Sequence, residues 1–503
     1  MGLAWSKPSP PSQPTVEEKP VQQNEKTPFE PTPVPISTTS TDEPSHVPSS
    51  VYLPLATGAS RSYWLQNASA NPLLNHRTTK DLPAQADVVI IGSGMSGALV
   101  AYDLLHGPDP PKRVVLLEAR DLCSGATGRN AGHCKPDQYR GFTGYAAKYG
   151  AVQAQKLLAD EQKNFLKMAD WVKREGVDCD LWVGDTFDVA VTESEAKAYR
   201  ESYEAFKATG ADISNLRFID NPQEAQRVSR INGALACVSW TAGSFYPWKF
   251  VAHVIQACLD KGLNLQTHTP VESVSEAFTF PLWAVNTPRG SVVTPAVVYA
   301  TNAYTSALLP MFRDIIKPTP FICSKVVPPP SHRGSQALQN TYYVSGYKGS
   351  AVSINPRSSS DGVVLFGGDS TAQGVLEKYI DEHPERRADD SLGNFQPIID
   401  GVEDFAAQVL TGWKDAKEIG AGEVEYNWSG IIGASADGVP FVGPVPGHPG
   451  QWVLAGFTGH GMARIFTSSS GLVKLMKGES WEDTELPDPF RLTIDRLAAF
   501  TQV

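Results

Sequence analysis

Residues 86–106, ADVVIIGSGMSGALVAYDLLH, decide the fold. Val88–Ile91 is an apolar run without two-residue alternation, so it reads as a strand buried on both faces. Gly92, Gly94 and Gly97 follow as GxGxxG, and a helix runs from about Met95 to His106. GPDPP (107–111) breaks that helix, Arg113–Leu117 forms a second apolar strand, and Glu118 stands 21 residues beyond Gly97. Strand, glycine turn, helix, strand and acid make a dinucleotide-binding βαβ unit. Gly92 permits the tight turn, Gly94 lets the backbone approach a pyrophosphate, and Gly97 lets helix and strand pack closely. The phosphates meet free N–H groups and the positive end of the helix dipole, with Met95 and Ser96 in the first turn. Glu118 accepts from the adenosine ribose hydroxyls, and its charge repels a 2′-phosphate, which argues against NADP.

The βαβ unit does not separate NAD from FAD. The next stretch, DLCSGATGRNAGHCKP (121–136), helps. Cys123, His133 and Cys134 supply soft metal ligands, but without CxxC or HxxxH spacing they fix no geometry, so no metal site is expected. The alternative is a thin ribbon of backbone against a flat cofactor, with Gly125, Gly128 and Gly132 removing side chains from the approach.

Together with three later segments, this stretch resembles the D-amino-acid oxidase-like (DAO) family of FAD-dependent oxidoreductases. The resemblance is strongest to fungal amine-oxidising members and the bacterial γ-glutamylputrescine oxidase group. The later segments are TAGSFYPWKFVAHVIQACLDKG (241–262), VVYATNAYT (297–305), and WSGIIGASADGVPFVGPVPG (428–447) with WVLAGFTGHGMARI (452–465). The resemblance runs from about 86 to 477 and implies FAD. It places Ala119, Ser124, Thr127, Gly128, Arg129, Asn130, Val271, Thr301, Gly433, Gly459, His460, Gly461 and Met462 on the cofactor beside the βαβ residues. Ser124 and Thr127 serve the pyrophosphate, and Arg129 and Asn130 lie near the flavin. Backbone N–H groups at 459–462, at a helix start, stabilise charge on the reduced flavin.

Some relatives tether FAD through a His in a T-W-H-A-A-G pattern. Here the matching run is Thr127–Gly132, with Arg129 at the His position. Others use a Cys before a C-terminal aspartate; the counterpart is Asp437, and 425–437 contains no Cys. The expectation is non-covalent FAD, with His133 and Cys134 the nearest tether positions.

His460, Trp428 and Arg129 are the catalytic candidates, against plainer readings as a structural hydrogen bond, a core Trp and a loop residue. Tyr246, Trp248, Lys325, Tyr343 and Lys348 fall in segments expected to line the substrate lobe. No Ser-His-Asp or paired-carboxylate arrangement is found, and flavin amine oxidation needs little acid–base machinery. The expected reaction is oxidation of an amine or amino-acid C–N bond by hydride transfer to flavin N5, with O2 as acceptor. Alternatives are a tailoring oxidase of secondary metabolism acting on a larger amine, imine or alcohol, and a non-catalytic flavin-binding protein.

The expected fold class is α/β. A Rossmann-like FAD-binding domain (85–177, 236–306, 428–477) interleaves with an α+β substrate domain (178–235, 307–427) that contains a largely antiparallel sheet. A long amphipathic helix is expected over 151–176 and a final helix around 462–477. Residues 1–50, rich in Pro, Ser and Thr, read as a disordered tail. Residues 51–84 read as an arm on the surface, and 478–503 as a C-terminal extension.

The 503 residues are 41% hydrophobic and 19% charged, an ordinary globular composition. A net charge of −11 argues against a nucleic-acid partner. Six scattered cysteines read as reduced thiols of a cytoplasmic protein. No apolar run of about 18 residues is present, so no transmembrane helix is expected. Met1-Gly2-Leu3-Ala4-Trp5-Ser6 fits the myristoylation pattern at Gly2, which would give weak, reversible membrane association.

Overall fold

Val88–Ile91 and Val114–Leu117 lie side by side at the centre of a six-stranded sheet, joined by the helix Met95–His106. The computed structural model describes residues 52–277, 281–367, 370–414 and 421–501. The expected tail and Gly2 lie outside them. The sheet order is Phe441–Pro444, Gln451–Ala455, Val297–Tyr299, Val88–Ile91, Val114–Leu117, Asn264–Gln266. It is parallel except for the Phe441–Pro444 edge.

Both faces of this sheet are covered, which explains the missing alternation. Val88, Ile90, Val114 and Leu116 pack with residues of the helices Met95–His106, Pro247–Asp260 and Gly461–Met476. Val89, Ile91, Val115 and Leu117 face Trp283, Val285 and Val292 of a three-stranded antiparallel sheet.

A nine-stranded sheet forms the second layer. Its order begins Val424–Ser435, Ile316–Val326, Val364–Gly367, Ser350–Pro356, Thr341–Tyr347. It continues Trp182–Ala190, Ala236–Ser244, His133–Cys134, with Arg217–Ile219 also on Ala236–Ser244. The Thr341–Tyr347 and Trp182–Ala190 pairing is parallel and the others are antiparallel. One face is apolar: Phe187, Val189, Tyr342, Val344, Ile354 and Phe366 pack beneath the helices Ser370–Glu382 and Gln396–Val409. The other carries Asp188, Tyr343 and Ser353 in a row and looks toward the dinucleotide fold.

The α/β class, the βαβ unit, the largely antiparallel second sheet and the long helix (Ala151–Arg174) agree with the sequence reading. Three details differ. Ala236–Ser244 and Val424–Ser435, which open segments assigned to the FAD lobe, run inside the nine-stranded sheet. The helix Gly461–Met476 is not the last, because Trp481–Thr484 and Ile494–Thr501 follow. Arg496 of that last helix forms a two-pronged ion pair with Asp437 at 2.8 and 2.9 Å, closing the C-terminal segment onto the body.

The third difference is the arm. Tyr63 and Trp64 are buried rather than laid on the surface. Trp64 finds a partner for its indole N–H inside, donating to Asn130 O at 2.6 Å, so the whole ring can leave water. No helix among the described residues is long and apolar enough to cross a membrane.

Candidate active site

Two glycines of the turn are closed in by backbone. Gly92 has φ +103°, and a Cβ there would stand 2.6 Å from Ala300 O. A Cβ on Gly97 would stand 1.9 Å from Gly92 O, so strand and helix could not keep their packing. Gly94 caps the helix without a side-chain acceptor, leaving its positive end open to an anion. Met95 N–H donates to Thr127 Oγ1 at 3.0 Å, so Thr127 serves the helix start directly, and Ser96 is buried in the same turn. Glu118 Oε2 accepts from Ser93 N–H at 2.9 Å and Ser93 Oγ at 2.7 Å, and Oε1 accepts from Arg120 N–H at 2.9 Å. Three of about four lone-pair directions are thereby taken, leaving one for a ribose hydroxyl. Ala119 follows at the strand end.

The ribbon 124–134 then crosses the nine-stranded sheet. A Cβ on Gly430 would lie 2.9 Å from Arg129 Cβ, Gly367 lies under Ala131, and Asn355 donates to Ala131 O at 2.7 Å. Ser124 Oγ and both ring nitrogens of His133 are buried without partners in the protein. Buried polar atoms normally find partners, so these orphans along the ribbon fit a bound polar group such as a flavin dinucleotide. Burial, with the Lys135 charge adding to it, holds the His133 imidazole down at about 3. Burial also pushes the Cys134 thiol far up, which makes it a poor nucleophile for a tether. Cys123 sits in the apolar core, and no group of His, Cys, Asp or Glu among the described residues clusters as a metal site.

Arg129, Trp428 and Asn130 have structural duties in and around the ribbon. Arg129 Nε donates to Ser124 O at 2.6 Å, and Nη1 donates to Ser60 O at 2.6 Å and Ser429 O at 3.0 Å. These contacts make Arg129 a loop anchor. Trp428 is fully buried and donates its indole N–H to Arg129 O at 2.7 Å, so it holds the ribbon. Asn130 takes Gly132 N–H at 2.7 Å and donates to Thr127 O at 2.9 Å, stitching the ribbon to itself. Gly128 O accepts from Ser62 Oγ at 2.5 Å.

The C-terminal segment meets the ribbon. Met462 O accepts from Cys134 Sγ and from Asn164 Nδ2, each at 3.2 Å, tying the start of the helix Gly461–Met476 to both ribbon and long helix. Gly459 lies in open space at φ +81°. Asn302 is a residue the sequence reading passed over for its neighbour Thr301. Its Oδ1 accepts Gly456 N–H at 3.0 Å and Phe457 N–H at 3.2 Å, while the Thr301 hydroxyl pairs with Thr305 Oγ1. A Cβ on Gly433 would stand 2.7 Å from that Asn302 oxygen. Val271 packs in the apolar layer that includes Val115, two residues after Thr269, whose N–H donates to Glu118 O at 2.8 Å.

His460 Nδ1 lies 3.1 Å from Glu161 Oε1. Glu161 also takes Arg464 Nε at 2.7 Å and, on Oε2, Asp137 N–H at 2.7 Å. Beyond Asp137, on the polar sheet face, Arg140 lies 3.9 Å over the Tyr343 ring. Its Nε is 3.7 Å from Asp188, and Lys135 Nζ donates to the same carboxylate at 2.5 Å. Arg140 Nη1 is buried and has no partner. Asp137 Oδ1 is likewise unpartnered, and burial raises its carboxyl. Two cations therefore share the Asp188 carboxylate, and Arg140 keeps one donor edge free of any protein partner.

Of the five substrate-lobe residues, only Tyr343 joins this group. Tyr246 donates to Trp64 O, Trp248 to Leu122 O at 3.0 Å, and Lys325 pairs with Glu425 at 2.8 Å. Lys348 is exposed and pairs with Asp404 at 2.5 Å. Lys135, Arg140, Asp188 and Glu161 were missed. Asp188 left a signal as an acid inside the apolar run Phe187–Ala190, and Glu161 as an acid in the helix's apolar stripe.

Comparison with known proteins bears on the same segments. Residues 87–470 match the family model for FAD dependent oxidoreductases, DAO. A probable oxidoreductase, OrdL, of Haemophilus influenzae is 22% identical over 394 residues, covering 75% of this chain and 80% of its own. Gamma-glutamylputrescine oxidoreductase of Escherichia coli is 26% identical over 237 residues, covering 47% of this chain and 53% of its own. Glycine oxidase of Geobacillus kaustophilus superimposes with a TM-score of 0.60 at 20% identity, over 82% of this chain and 99% of that one.

Proposed function

The chain belongs to the DAO family of FAD-dependent oxidoreductases, and on that premise we propose that it oxidises a carbon–nitrogen bond of an amino acid or amine, with O2 as acceptor. FAD, when bound, supplies the hydride acceptor, and the resulting imine hydrolyses in water. The chain supplies position, charge and dryness. The open helix end at Gly94, Thr127, Glu118 and the unpartnered Ser124 hydroxyl fit the dinucleotide, and the proposed binding is non-covalent.

The observation that carries the substrate reading is the Arg140 guanidinium. Tyr343 supports its plane, Asp188 holds one side, and Nη1 is buried without a partner. A substrate carboxylate on that edge gains a charge-assisted hydrogen bond and removes an unsatisfied donor. Lys135 adds charge without competing, since its ammonium is spent on Asp188. The start of the helix Gly461–Met476, beside His460, supplies the positive end that would favour negative charge on the cofactor.

The test is an anaerobic screen with amino acids, their decarboxylated amines, and larger amines. Carboxylate-bearing amines are expected to bleach the flavin fastest, with peroxide released on admitting air. A protein whose bound flavin is reduced by none of these compounds would disprove the assignment.

A further inference from the structure

We propose that Asp390 is a cofactor-retention residue, locking the flavin ribbon from behind by charge. Asp390 stands between the short helices Pro384–Arg386 and Leu392–Asn394, far in sequence from every flavin segment, with its side chain 1% exposed. Its carboxylate takes Arg120 Nη1 at 2.8 and 3.2 Å and lies 3.3 Å from Arg129 Nε. Arg120 follows Glu118, and Arg129 occupies the position that holds a His in the T-W-H-A-A-G pattern. One arginine just before the cofactor ribbon and one in its middle therefore converge on one acid.

The lock has a second part. Ser60 N–H and Oγ both donate to Asp390 O, at 2.9 and 2.6 Å, and Ser60 Oγ accepts Ser429 N–H at 3.0 Å. Ser60 O takes Arg129 Nη1. The N-terminal arm thus closes a ring through residues 60, 390, 129 and 429. Both arginines also donate to Ser124 O, at 2.6 and 3.3 Å, beside the unpartnered Ser124 hydroxyl. A ribbon that swings open to release FAD must pull Arg129 off Asp390 and leave a buried carboxylate short of a partner, which is strongly unfavourable.

The test is FAD release from the holoenzyme, followed by flavin fluorescence after dilution, alongside thermal midpoints of the apo-proteins. Asp390→Asn is expected to release FAD about tenfold faster, with Asp390→Glu largely restoring retention. Ser60→Ala keeps both ion pairs and serves if Asp390→Asn does not fold; it is expected to speed release about threefold. Lowered apo midpoints with unchanged release in the folded variants would mean that Asp390 stabilises the fold only, and would overturn the proposal.

Discussion

His460 Nδ1 and Glu161 Oε1 lie 3.1 Å apart, on a carboxylate that also takes Arg464 Nε at 2.7 Å and Asp137 N–H. Burial alone would raise the Glu161 carboxyl, but the charges of Arg464 and His460 outweigh it and hold the group at about 2, below the ordinary 4.5. A carboxyl depressed on folding stabilises fully above its unfolded value, and that stability is lost as pH falls through the folded one. Glu161 therefore contributes fully above about pH 4.5 and fails on descent toward 2. Glu161→Gln is expected to cost about 3 kcal/mol at neutral pH, because Arg464 is left buried beside a neutral amide. It should also flatten stability against pH between about 5 and 2. Urea unfolding across that range measures both, and an unchanged slope would contradict the pairing.

His133 tests the same linkage with a base. Burial, with Lys135 adding to it, holds the ring at about 3 rather than 6.5. The unfolded chain takes up a proton first, so stability should decline as pH falls from about 6.5 toward 3. His133→Asn is neutral at every pH. Its stability should fall less than that of the wild type between those limits, in thermal scans at stepped pH.

What the sequence told and withheld follows from the range of the interactions. The strand–turn–helix 88–106 was legible because its causes are local: unbroken apolarity for a strand covered twice, and glycines where neighbours would collide. The second sheet was legible only as a class, a largely antiparallel sheet. The arm was misread because nothing local marks Trp64 as buried; its partner Asn130 lies far along the chain. The anchoring role of Arg129 was hidden for the opposite reason. A cation in a cofactor loop suggests the cofactor, while the acid it serves, Asp390, sits in an undistinguished stretch, ERRADDSLGN. Arg140 and Asp188 needed the sheet register, which sets Asp188 opposite Tyr343. Glu161 was readable in principle, as an acid among Ala154, Leu157, Leu158, Phe165 and Met168 on one helix stripe.

Arg140 separates binding from chemistry. If its free Nη1 receives the substrate carboxylate, Arg140→Met keeps the contact with Tyr343 and removes the charge. KM for an amino acid should rise about a hundredfold while kcat changes far less, consistent with about 3 kcal/mol lost from one buried charge-assisted contact. A decarboxylated amine should show little change. Steady-state kinetics on both compounds decides, and equal losses on the two would remove the carboxylate from the argument.

Gly430 tests whether the sheet supports the cofactor ribbon. A Cβ there would stand 2.9 Å from Arg129 Cβ and 3.7 Å from its Cδ and carbonyl oxygen, so the ribbon must lift by several tenths of an ångström. It is not free to do so: Trp428, two residues along the same strand face, holds Arg129 O at 2.7 Å. Gly430→Ala therefore forces overpacking, which typically costs about 1–3 kcal/mol. Because the strained element is the ribbon, FAD affinity should fall about tenfold, measured by titrating apo-protein and following flavin fluorescence. Gly374→Ala is the control. It lies within the helix Ser370–Glu382 with nothing within 4 Å of an added Cβ, and alanine there should leave FAD affinity unchanged and slightly stabilise the chain. Equal FAD affinities in the two variants would mean that the ribbon does not depend on the sheet beneath it.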